Sequence, residues 1–179
     1  MSMRAPQRPG SASGFTLLEV LISIVVIAFG LLGIAGLQAF ALKNNQSAGQ
    51  RMTTTMLASD MVERVWSSNG DSRLLYNQPD IGFYKSPVSS CTTAAGCTAS
   101  QLASNDLAEW QARVAASLPS GAGIVCKDTS PDDGDNAASP GCDFSAGAPY
   151  VVKIWWLDNR DATANAALLL QRFTWSFNP

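Results

Sequence analysis

The chain has 179 residues, which at about 100–200 residues per domain leaves room for one globular domain. Hydrophobic residues make up 46 % and charged residues 15 %, too apolar a balance for a disordered chain, and a net charge of −2 offers no electrostatic footprint for direct nucleic-acid binding. Histidine is absent, which excludes Ser-His-Asp and Cys-His catalysis and every His-ligated metal site.

Residues 1–14 carry Arg4 and Arg8 and no acid, and Pro6, Pro9 and Gly10 keep them from forming a helix. After Glu19 the next charge is Lys43, so Val20–Leu42 is an uncharged run of 23 residues, rich in Val, Ile, Leu, Ala, Phe and Gly. About 20 apolar residues suffice to cross a bilayer core as a helix. The cations on the N-terminal side predict a cytoplasmic N-terminus and an exported remainder. An ordinary secretory signal also has to be weighed, because Ala39-Phe40-Ala41 supplies an A-x-A site. Its apolar region would span only about 7–15 residues. Glu19 is a second objection: a carboxylate costs about 2.5–3.5 kcal/mol near the centre of a membrane helix, less near its end, and such a residue usually has a role.

Gly14-Phe15-Thr16-Leu17-Leu18-Glu19-Val20-Leu21, behind a short basic leader and ahead of a long apolar helix, resembles the class III signal of type IV pilins and type II secretion pseudopilins. The resemblance implies cleavage by prepilin peptidase between Gly14 and Phe15 and N-methylation of Phe15. It also implies that Glu19 neutralises the Phe15 amine of a neighbouring subunit. Opposite charges that are costly in lipid become tolerable once paired. Gly30-Leu31-Leu32-Gly33-Ile34-Ala35-Gly36-Leu37-Gln38 resembles the end of the apolar segment in minor pilins of the PilV family, the type IV pilus modification proteins. Gly30, Gly33 and Gly36 suit close helix packing, and by the same resemblance suit local softening of the helix in a filament.

The helix is expected from about Phe15 to about Ser67, roughly 80 Å at 1.5 Å per residue. Beyond Lys43 it becomes amphipathic: Leu57, Met61 and Val65, with Ala58, Val62 and Trp66 alongside, form a stripe suited to packing on a sheet. Ser67-Ser68-Asn69-Gly70 is a helix stop. Residues 70–100 read as a long irregular connection holding Tyr76, Pro79, Phe83, Tyr84 and Pro87.

A second helix is expected from about Ser104 to Leu118, burying Leu107, Trp110, Val114 and Leu118 and ending at Pro119. Asp106-Leu107-Ala108-Glu109-Trp110, followed by Leu118-Pro119-Ser120-Gly121 and a Val-Cys pair, resembles a second PilV landmark. Strands are expected at Gly123–Cys126, at Tyr150–Leu157 and from about Ala167 to Phe177. Trp155 and Trp156 give the middle strand two apolar faces and a central place. Asn159-Arg160-Asp161 reads as a hairpin turn.

Cys91, Cys97, Cys126 and Cys142 all fall in the exported part, and an even count there reads as two disulfides. Three connectivities are open. The local ones, Cys91–Cys97 and Cys126–Cys142, are favoured because each flanks a loop-like stretch. Asp128, Asp132, Asp133 and Asp135 lie in the second of these loops. Their spacing does not fit an EF-hand, so a solvated turn is favoured over calcium. No metal, cofactor or enzymatic reading emerges.

The resulting expectation is an α+β, type IV pilin-like fold: a long N-terminal helix, its first half transmembrane, packed on a small antiparallel sheet. Residues 1–14 would be leader, 15–42 the membrane and assembly helix, and 43–179 the periplasmic head. The resemblance implies a minor pilin, made in the inner membrane and later carried in the pilus, near its tip. Its partners would be prepilin peptidase, other minor pilins and the major pilin. A type II secretion pseudopilin is the alternative.

Overall fold

The structure, a computed structural model, describes residues 14–77, 86–94, 96–158 and 170–179. Helix α1 runs Leu17–Ser67 and helix α2 runs Ala99–Ser117, with two short 3-10 helices, Gly70–Tyr76 and Ser89–Thr92, between them. Strands β1 (Ala122–Lys127), β2 (Tyr150–Leu157) and β3 (Leu170–Phe177) follow. The result is a long N-terminal apolar helix and a small antiparallel three-stranded sheet, a pilin-like α+β architecture. By packing, the chain divides into two units between Lys43 and Asn44.

In the first unit α1 has no proline to break it, and its apolar stretch is long enough to cross a membrane. All described residues from Gly14 to Lys43 are exposed. Leu, Ile, Val and Phe on every side leave no polar face for water, so this segment calls for lipid or other helices around it.

The second unit has a conventional core. From α1, Leu57, Ala58, Met61 and Val65 are buried against Leu107, Trp110 and Val114 of α2. Trp66, expected beside this stripe, is instead about half exposed, and Arg73 lies over its ring at 5.1 Å. The chain turns at Ser68, so Trp66 is left on the outside of the last helical turn.

The α2 helix begins five residues before its expected start. The Thr98 hydroxyl accepts from the Gln101 backbone N–H while the Gln101 side chain accepts from the Thr98 N–H, a reciprocal cap that fixes the first turn. Residues 70–100 hold the two 3-10 helices rather than irregular chain alone. Pro79, Phe83 and Tyr84 lie outside the described residues, as do the leader to residue 13 and the turn expected at 159–161.

The sheet order is β1-β2-β3, antiparallel throughout, so the strand carrying Trp155 and Trp156 is central. Register sets the two faces. Val125, Tyr150, Val152, Ile154, Trp156, Phe173 and Phe177 face the helices. Cys126, Val151, Lys153, Trp155, Arg172 and Thr174 take the opposite face. On β2 that second face is buried too, under the segment that links β1 to β2.

Two glycines mark close approaches that explain the short string after α2. A Cβ on Gly121 would strike the Val114 carbonyl and Leu118, and one on Gly123 would enter the Trp110 ring. Leu157 N–H donates to the Pro119 carbonyl at 2.8 Å, joining the end of β2 to the α2–β1 turn. Gly121 thus lets the chain turn close against the end of α2, and Gly123 lets β1 lie close against Trp110.

Candidate processing and assembly site

The residues expected to be processed lie at the start of α1. Gly14, Phe15 and Thr16 precede the helix, and Phe15 is 79 % exposed. Thr16 caps the helix: its hydroxyl and its carbonyl both accept from Glu19 N–H, at 3.3 and 3.1 Å. Glu19 therefore sits at the third helical position, where the orphan N–H groups and helix dipole favour an anion. One turn on, Ser23 Oγ donates to the Glu19 carbonyl at 2.7 Å. The structure places Phe15 and Glu19 on either side of this cap, with Glu19 exposed. The cap was readable in advance as Thr16-x-x-Glu19, the threonine-to-glutamate spacing of a helix start.

In the second unit, Cys91 is bonded to Cys97 and Cys126 to Cys142. In the 126–142 loop Asp132, Asp133 and Asp135 are exposed, as expected of a solvated turn, but Asp128 is not. Asp128 and Lys153 are fully buried and ion-paired to each other. Lys153 Nζ also donates to Asp133 Oδ1 at 2.9 Å, the Pro140 carbonyl at 2.7 Å and the Asp133 carbonyl at 3.2 Å. The Lys153 hydrogen bond, with a second from Ser130, holds the Asp133 carboxyl below its usual range. Sequence reasoning missed Lys153, because a lysine in Tyr150–Leu157 reads as a solvent-facing position on a strand otherwise apolar. Asp143 is likewise held down to about 2, by hydrogen bonds from the Thr129 hydroxyl and the Ser145 backbone.

A second polar cluster joins the helices. Arg64 pairs with Asp60 at 3.3 Å, Asp106 at 2.6 Å and Glu109 at 3.5 Å. Burial alone would lower the Arg64 pKa, but the three carboxylates outweigh it and the value is raised. Tyr76 donates its hydroxyl to Asp106 at 2.6 Å, and burial together with that bond pushes Tyr76 up to about 12. These groups bind one another rather than presenting an open cleft. Among the described residues no group of three His, Cys, Asp or Glu side chains could hold a metal ion.

No curated protein and no solved structure matches the chain. Residues 10–35 match the family model of the prokaryotic N-terminal methylation motif. The match takes in Gly14, Phe15, Thr16, Glu19 and the apolar run as far as Ala35, and this motif indicates a type IV pilin or a pseudopilin processed by prepilin peptidase.

Proposed function

We propose that the protein is a minor pilin of a type IV pilus, of the kind represented by PilV. The methylation motif beside an uncovered apolar helix supports a pilin or pseudopilin, and the resemblance of residues 30–38 to the PilV apolar segment favours the pilus. In this account the prepilin sits in the inner membrane with residues 1–14 cytoplasmic and residues 43–179 in the periplasm. Prepilin peptidase cuts between Gly14 and Phe15 and methylates the new Phe15 amine. The apolar half of α1 then leaves lipid to pack among the helices of other minor pilins and the major pilin.

The mechanism is non-covalent. Glu19 pairs with the Phe15 amine of a neighbouring subunit, so two charges enter the apolar filament core as a neutral pair. The pairing also fixes the axial register between subunits, because an unpaired charge is penalised at every other offset. The head selects the neighbour. The complex so formed primes pilus assembly and supports adhesion and twitching motility.

Deleting the gene tests this directly. Loss of surface pili and twitching with protein secretion intact is the expected result. Intact pili with failed export of enzymes across the outer membrane would assign the chain to a type II secretion pseudopilus instead.

A further inference from the structure

The loop between β1 and β2 is anchored to all three strands from one side of the sheet. Cys126 of β1 bonds to Cys142. Lys153 of β2 reaches Asp128, Asp133 and the Pro140 carbonyl. From β3, Arg172 donates to the carbonyls of Gly134 and Asp132, and Thr174 donates to Asp132 Oδ1 at 2.7 Å. The loop doubles back tightly to make this possible. Gly134 and Gly141 both adopt positive φ, 89° and 75°, and a Cβ on either would strike the opposite arm of the loop.

At the centre of the fold-back lies a single cation. The Lys153 ammonium is fully buried, and its ligands are two carboxylates and two backbone carbonyls from three separate points of the loop. Hard oxygen donors converging in this way are the ligand type of a bound calcium ion. Here the position is filled by an amine delivered on a strand. A buried ammonium with three N–H donors cannot be left unpaired without a large cost, so the side chain and the loop enforce each other's geometry.

We propose that Lys153 is the fixed internal cation of this acidic loop, holding it closed over the sheet in place of a divalent metal. Loop closure then depends on the Cys126–Cys142 bridge and the lysine, and not on the calcium concentration around the exported head. The inference stands apart from the pilus assignment, since it concerns only how the head holds its outer face.

The test uses the full chain in detergent micelles. The melting temperature of the wild type is measured in excess chelator and in millimolar calcium, and the two values are expected to coincide. Lys153→Met, which keeps the stem and removes the charge, is expected to melt lower by roughly 10 °C. It is also expected to lose hydrogen-exchange protection across Ser130–Gly141. Asp133→Asn, a milder change at the exposed end of the cluster, should loosen the same amides in a protein that still folds, which keeps the test decisive if Lys153→Met does not fold. A wild-type melting temperature that falls on chelation would overturn the proposal. So would unaltered loop protection in Asp133→Asn.

Discussion

The indole Nε1 of Trp110 donates a hydrogen bond of 2.8 Å to the carbonyl oxygen of Leu57. This bond joins α2 to α1, and the far edge of the same ring lies against Gly123 on β1. One side chain therefore sets the spacing of both helices and the first strand. Trp110→Phe removes the bond and part of the ring and is expected to cost about 1–3 kcal/mol. Gly123→Ala inserts a methyl group into the ring's place and is expected to cost a similar amount by overpacking. Thermal unfolding of each variant measures this, and the double variant should lose less than the sum, because the smaller phenyl ring on α2 leaves room for the added methyl group on β1.

The two disulfides should differ in weight. Cys126–Cys142 spans 16 residues of sequence and Cys126 is fully buried, whereas Cys91–Cys97 spans 6. A longer closed loop restricts the unfolded chain more. Cys126→Ser is expected to destabilise the head by about 2–5 kcal/mol, and Cys91→Ser by less. Denaturant unfolding of the two variants side by side gives the comparison; equal losses would contradict the ordering.

Stability should decline at high pH. In the unfolded chain Tyr76 loses its proton near its ordinary pKa of 10.0, but in the folded head it holds the proton up to about 12. Between those values the unfolded state binds fewer protons than the folded one, so stability falls as pH rises, by roughly 2–3 kcal/mol in all. Tyr76→Phe removes this titration. Its stability should be lower at pH 7, through loss of the bond to Asp106, and the decline between pH 10 and pH 12 should be shallower than in the wild type.

Glu19 and its cap make separable predictions. Glu19→Ala should leave membrane insertion and leader cleavage largely intact while sharply reducing recovery of the protein in sheared filaments. Thr16→Val should unsettle the first helical turn by about 1 kcal/mol and reduce recovery less. Normal recovery of Glu19→Ala in filaments would remove the charge-pairing mechanism.

Much of this was readable from the chain alone. The apolar run, the end of α1 and the strand Tyr150–Leu157 follow from charge spacing, a Ser-Ser-Asn-Gly stop and local apolar density. Local signals that were present but easy to pass over are the Thr98-x-x-Gln101 and Thr16-x-x-Glu19 helix starts. What sequence could not supply is the loop cluster. Lys153 and Asp128 are 25 positions apart, and their pairing depends on sheet register and on a loop that turns back at Gly134 and Gly141. No local pattern encodes that convergence, so buried Asp128 looked like one more solvated aspartate.

The most direct test of the account is the mass and sequence of the N-terminus after expression with and without a prepilin peptidase. The account predicts a chain beginning at N-methylated Phe15 only when the peptidase is present. A chain beginning at Leu42, or an unprocessed chain under both conditions, would contradict it and remove the role assigned to Glu19.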